Sequence, residues 1–353
     1  MHHSADGNLP ERQIRGATPR RPAADRREQP LSASRPTAPS PPRPRTPPGH
    51  AGSVTAPAGR LDPERLAAFF ATEGRDLPWR RPDAGGWGVL VSEVMLQQTP
   101  VARVLPVYLD WMRRWPTPAA LAADSPGAAV RVWGRLGYPR RALRLHAAAV
   151  TLVADHDGRV PGDLQMLLAL PGVGEYTARA VAAFAFGQRQ PVVDTNVRRV
   201  FSRAVRGVDE HGPATARDRD ELERLLPSEP RAAAAFSAAL MELGALRCTV
   251  TSPACRGCPI ADGCAWLAAG RPAGPARKPA QTWHGTDRQM RGRIMALLRD
   301  ADGPLPDSDL RPTVPATGQD TAQWRRCLDS LLADGLAVRG QDGLVSLPGA
   351  PGP

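Results

Sequence analysis

Lysine is almost absent from this chain. Of the 46 lysine and arginine side chains in 353 residues, one is a lysine, Lys278, and the rest are arginines. Schiff-base chemistry through a lysine side chain is therefore excluded at every other position. Also missing is any run of about 18 to 20 uninterrupted apolar residues, the length a membrane-spanning helix needs. The opening stretch MHHSADGNLPERQIRG has no apolar segment of the kind a secretory signal carries, so a cytoplasmic protein without membrane attachment is expected. Cysteine is sparse too. Four of the five cysteines lie between Cys248 and Cys264, and Cys327 stands alone, which suits a metal site in a reducing compartment better than a disulfide scaffold.

What is present is positive charge and helical periodicity. The net charge is +11, which favours a polyanionic partner. Residues 1–60 contribute +6 of it, from ten arginines against four acids, and leave a modest +5 for the remainder. That opening segment, with stretches such as PLSASRPTAPSPPRPRTPPGH, has no apolar period and cannot offset the entropy of folding. A disordered tail is expected, either an inert solvated extension or one that touches DNA or partners loosely. Order should begin at LDPERLAAFF, where Asp62 can cap a helix and Pro63 fits its first turn.

From there to residue 270 the pattern predicts an all-α domain of roughly ten helices. VSEVMLQQTPVARVLPVYLDWMRRW, ALRLHAAAVTLVADH, TARAVAAFAFGQ and AAAAFSAALMELGAL all repeat apolar residues at three and four, with Gly or Pro between them. Residues 271–284 read as a Gly/Pro/Arg linker. Residues 285–349 then give helix, short helix, helix and a hairpin with Asp342-Gly343 at its turn, the order of a small winged-helix-like module. Such a module binds DNA or serves packing or dimerisation, and both readings stay open.

Three constellations carry chemistry. LPGVGEYTARA is a glycine-rich turn between helical stretches; Gly172 and Gly174 let the backbone approach a ligand closely, and the following helix N-terminus offers N–H groups to a phosphate. Glu93 lies within a strongly apolar run, where burial should raise its pKa and let it carry a proton near neutrality. Asp194 precedes a helix whose first-turn N–H groups should keep it ionised. One protonated and one ionised carboxyl is the pair that glycosidic cleavage requires. The third is the quartet Cys248, Cys255, Cys258 and Cys264, spaced C-x6-C-x2-C-x5-C. That spacing suits a compact loop around an iron-sulfur cubane, and zinc remains the alternative.

Taken in order, LPWR, SEVMLQQTPV, GRLGYPRRALRLH, LPGVGEYTARA, VDTNVRRV, MELGAL and the cysteine run resemble the adenine DNA glycosylases, helix-hairpin-helix base-excision enzymes of the endonuclease III superfamily, over residues 61–268. The resemblance implies a six-helix barrel domain with the helix-hairpin-helix (86–195) and a [4Fe-4S] cluster domain (61–85 and 196–270). It implies that Glu93 gives a proton to the purine, that Asp194 meets the sugar cation, and that Tyr176 and Asn196 support them. Arg75, Trp79, Leu96 and Glu242 match the pocket for the flipped adenine. Gln98, Thr99 and Tyr138 match the segments that fill the gap beside the oxidised guanine. The four cysteines would ligate the cluster, with Arg256 in their loop as a phosphate contact. The substrate implied is double-stranded DNA with adenine opposite 8-oxoguanine or guanine, bound by a monomer at the nucleoid.

Endonuclease III itself uses a lysine where this chain has Tyr176, so a monofunctional glycosylase is expected. Two departures stand out: Pro139 follows Tyr138 where the family usually has a second tyrosine, and the C-terminal segment is too short for the family's nudix-like domain. The rival readings are a thymine or oxidised-pyrimidine mismatch glycosylase of the same superfamily and a non-catalytic DNA-binding damage sensor.

Overall fold

Local signals start and stop the helices where the sequence places them. In the computed structural model, which describes residues 61–210, 212–275, 283–311 and 318–349, Asp62 accepts the N–H groups of Glu64 and Arg65 at 2.9 and 3.3 Å and opens α1 (Pro63–Glu73). Lys278 lies outside the described residues, as do residues 1–60. All the described residues belong to one compact unit, Thr55–Pro353.

The next seven helices enclose one core: α2 (Gly85–Leu96), α3 (Val101–Arg114), α4 (Pro118–Ala122), α5 (Pro126–Trp133), α6 (Arg140–Asp155), α7 (Leu164–Ala169) and α8 (Glu175–Phe186). Helix α3 buries Val104, Tyr108 and Trp111, the i, i+4, i+7 stripe of an amphipathic helix. Helix α2 is different, because every residue from Trp87 to Met95 is buried. It is the central helix against which α3 and α8 pack.

A second core gathers Leu66 and Phe69 of α1 with α9 (Thr195–Phe201), α10 (Ala216–Glu223) and α11 (Pro230–Leu246), where Ala233, Phe236, Leu240 and Leu243 face inward. Helix α9 runs on into a π-type turn over Ser202–Arg206. The cysteine loop follows α11 and ends in the short α12 (Ala265–Ala268).

Helices α13 (Asp287–Asp300) and α14 (Gly318–Ala333) and the antiparallel strands β1 (Val338–Arg339) and β2 (Val345–Ser346) make up the C-terminal module. Leu305 adds a third short rung by exchanging two 2.8 Å backbone hydrogen bonds with Val345. Residues 276–282 of the expected linker lie outside the described residues, and the module's buried residues, Met290, Ile294 and Trp324 among them, belong to the first core. The Gly127 N–H of α5 donates to the Pro348 carbonyl at 2.8 Å, and Arg131 donates to the Ala301 carbonyl at 2.8 Å. Among the described residues no helix is long and apolar enough to cross a membrane.

Candidate active site

Glu93 sits on the all-buried helix α2 and is 5% exposed. Loss of water pushes its carboxyl up to about 7; a hydrogen bond from Tyr176 acts against that rise, Asp194 adds to it and the charge of Arg80 opposes it. Tyr176 lies in the first turn of α8. Burial, reinforced by Glu93 and Asp194, holds its hydroxyl well above its ordinary pKa, so it stays a donor to Glu93.

Asp194 caps α9 by accepting the Val197 N–H at 2.7 Å and the Asn196 side-chain amide at 2.8 Å. The sequence predicts that this cap could keep the carboxyl ionised. The cap is present, and burial, the largest influence, raises the pKa from its ordinary value against the pull of Val197, Asn196 and Arg199. With one carboxyl of the pair ionised, the other holds its proton more tightly.

Asn196 is itself held. Its amide oxygen accepts from Arg199 at 2.9 Å, and Arg199 donates on to the Gly244 carbonyl at 2.6 Å and the Cys248 carbonyl at 2.7 Å. A continuous line of hydrogen bonds therefore runs from Asp194 to the start of the cysteine loop. The glycine in MELGAL makes this possible, since a Cβ at Gly244 would come within 2.7 Å of the Asn196 Cβ. Arg199 was not among the residues the sequence singles out; its signal is its place one turn after Asn196 on a buried helix face.

Glu242 of α11 is fully buried and heavily paired. Arg75 donates to it from its backbone at 2.9 Å and from its guanidinium at 2.6 and 2.8 Å, and Arg80 donates at 2.7 Å. Burial opposes ionisation, yet the arginines prevail and bring the pKa down to about 2. The structure thus joins Arg75 to Glu242 and adds Arg80, which the sequence does not single out. Trp79 is buried edge-on against Tyr108 at 5.0 Å, while Leu96 ends α2 half-buried.

Gln98 and Tyr138 are both exposed and both hold left-handed backbones, with φ of 54° and 49°. Thr99 is buried beside them, its hydroxyl donating to the Gln97 carbonyl at 3.2 Å. Buried Arg141 bridges these two segments, and Arg288 of the C-terminal module lies over the Tyr138 ring at 5.7 Å. In the hairpin turn, Gly172 has φ of 78° and a Cβ there would fall 2.6 Å from the Arg144 Cβ, so no other residue fits. Gly174 caps α8 with no side-chain partner for the first-turn N–H groups, and both glycines are exposed.

Cys248, Cys255, Cys258 and Cys264 line one cavity with apolar walls that include Val200, Ile260 and Trp266. Among the described residues no three His, Cys, Asp or Glu side chains close on a single metal ion. Four thiols around an apolar cavity form a donor set that fits an iron-sulfur cubane. Arg203, almost wholly buried, donates to the Cys248 sulfur at 3.4 Å and stacks on Trp266 at 4.5 Å. Arg256 is exposed in the turn between Cys255 and Cys258.

The profile of the HhH-GPD superfamily base excision DNA repair proteins matches residues 91–227, which include Glu93, the hairpin and Asp194. Among solved structures, a thermostable thymine-DNA glycosylase aligns at TM-score 0.53 and 25% identity over 59% of this chain and 95% of its own. A trapped endonuclease III–DNA covalent intermediate aligns at TM-score 0.51 and 25% identity over 59% and 94%. These define the class as a helix-hairpin-helix base-excision fold. Adenine DNA glycosylase of Mycobacterium tuberculosis is 52% identical over 84% of this chain and 96% of its own length, and that of Homo sapiens is 41% identical over 56% and 38%. The chain belongs to the adenine DNA glycosylase family.

Proposed function

We propose that this protein hydrolyses the N-glycosidic bond of adenine mispaired in double-stranded DNA, with 8-oxoguanine or guanine opposite. The observation that carries the reading is Glu93, a buried carboxyl with a pKa of about 7, hydrogen-bonded by Tyr176 and close enough to feel Asp194. Glu93 supplies a proton to the purine as the C1′–N9 bond breaks, so the base leaves neutral. Asp194, oriented by Asn196 and the Val197 N–H, stabilises the cationic sugar. Water adds to C1′ and its proton returns to Glu93. With Tyr176 at the hairpin position and no lysine among Glu93, Asp194 and the residues that hold them, no side-chain amine there forms a Schiff base and the strand is not nicked.

Arg75, Trp79, Leu96 and Glu242 form the side of the site that takes the extruded base, and Gln98, Thr99 and Tyr138 fill the space it leaves. Cys248, Cys255, Cys258 and Cys264 would hold a [4Fe-4S] cluster, which supplies a structural tie for the loop bearing Arg256. The Gly172–Gly174 turn and Arg256 contact phosphates.

Single-turnover excision on A:8-oxoguanine, A:G, A:C and T:G duplexes tests the reading. Adenine release opposite 8-oxoguanine and guanine, without covalent trapping by borohydride, is expected. Preferential thymine release from T:G would replace it with the pyrimidine reading that the thymine-DNA glycosylase likeness keeps in view. Analysis for iron and acid-labile sulfide, against zinc, checks the cluster.

A further inference from the structure

We infer that Arg141 is the positioning residue that pre-forms the two backbone segments entering the DNA, and so governs adenine extrusion rather than bond cleavage. The inference rests on the glycosylase reading above and concerns a side chain that touches neither carboxyl of the catalytic pair.

The geometry is that of a clamp. Arg141 lies in the first turn of α6 and is 7% exposed. Its Nη1 donates to the carbonyls of Val94, Met95 and Gln97 at 2.9, 3.1 and 2.6 Å, in the last turn of α2 and the residue that ends it. Its Nη2 donates to the Thr99 hydroxyl at 3.1 Å and the Gly137 carbonyl at 3.0 Å. The guanidinium also lies 5.0 Å from the Trp133 ring and 5.6 Å from the Tyr138 ring. One cation thereby ties the segment around Gln98 to the segment around Tyr138.

Both clamped segments contain the strained residue. Gln98 and Tyr138 are two of four non-glycine residues with positive φ among those described, and such a backbone persists only where its surroundings over-determine it. Tyr138 also precedes Pro139, which disfavours the right-handed helical alternative. Arg141 supplies the over-determination from one point. It does so at a cost, because its Nε is buried without a hydrogen-bond partner and burial pulls the guanidinium down to about 10. A helix needs no buried arginine to end, since a glycine or water serves. The planar fork that reaches five acceptors on two segments is a property no other side chain has.

Extrusion and cleavage can be read separately. Replacing the target adenine with 2-aminopurine reports unstacking by fluorescence, and excision is compared for adenine in an A:8-oxoguanine duplex and for adenine opposite an abasic-site analogue, where no pair must be broken. Arg141→Met is expected to lose the 2-aminopurine rise and to slow excision from the paired duplex by about 10²-fold, the effect of misplacing a positioning group by about an ångström. Excision opposite the abasic analogue should fall far less. Arg141→Lys, which keeps the charge without the fork, should recover part of the paired-duplex rate. Equal losses on both duplexes, or no loss on either, would overturn the inference. Should Arg141→Met fail to fold by thermal melting, the same two-duplex comparison in Arg141→Lys decides. If the unaltered protein releases adenine from neither duplex, the glycosylase reading fails instead.

Discussion

Glu93 and Glu242 are the same residue type, each buried in a helix of an all-α protein, and their pKa values are driven in opposite directions. Glu93 on α2 is pushed up to about 7, whereas Glu242 on α11 is brought down to about 2. Burial is common to both and works in the same direction in both. The neighbours decide: a neutral tyrosine, a second carboxyl and, as the smallest influence, the charge of Arg80 act on Glu93, while two guanidiniums and a backbone N–H bond Glu242 directly. A buried carboxyl becomes an acid–base group only where its cation is withheld.

The largest test of this contrast removes the proton donor. Glu93→Gln keeps the shape and the Tyr176 contact but has no proton to give, so single-turnover excision should fall by about 10²- to 10⁴-fold while binding to mismatched DNA persists. The pH profile carries the same information. The acid form of Glu93 is the working form, so excision should decline above a pH of about 7 and also at low pH as Asp194 gains its proton. A flat profile from pH 6 to 9 in the unaltered protein would remove Glu93 from the proton-donor role.

The second test breaks the Glu242 side. Glu242→Gln leaves Arg75 and Arg80 facing each other without their anion; because both guanidiniums keep contact with solvent, the loss should be smaller than the roughly 3 kcal/mol of a fully buried pair. Lower thermal stability is expected at neutral pH. The linkage has a definite sign: a carboxyl depressed from 4.5 to about 2 stabilises the fold above pH 4.5, and that contribution is lost as pH falls towards 2. The variant should therefore lose part of the acid limb of the stability curve. An unchanged acid limb would show that other groups set it.

Much of this contrast was legible in the sequence, and the illegible part has a physical reason. Helix α2 announces itself as apolar on all faces, so the burial of Glu93 follows from its neighbours in the chain. The glycines of LPGVGEY and the cap at Asp194 are short-range features that fix local backbone. Arg80, Arg141 and Arg199 are hard to find that way, because the contacts that give each its role, to Glu242, Val94 and Cys248, reach 162, 47 and 49 residues along the chain. In a chain whose cations are nearly all arginine, no composition signal separates these three from the solvated ones. The C-terminal module shows the same limit: its helices and hairpin are local patterns, but its packing onto α5 through Gly127 and Pro348 is not.

Arg80 offers the finest test, because it belongs to both halves of the comparison. It donates to Glu242 at 2.7 Å, and its charge is among the influences that hold the pKa of Glu93 down. Arg80→Gln leaves Glu242 with Arg75, which reaches both of its oxygens, so that carboxylate stays ionised. Glu93 loses a positive neighbour, its anion becomes less favourable, and its pKa rises. The alkaline limb of excision should move up by about half a pH unit, equivalent to about 0.7 kcal/mol. A downward move would mean that Arg80 acts on Glu93 mainly by excluding water, since its removal would then hydrate the carboxyl and ease its ionisation. The direction of that limb therefore distinguishes the charge of Arg80 from its bulk, which the contrast between the two glutamates cannot do alone.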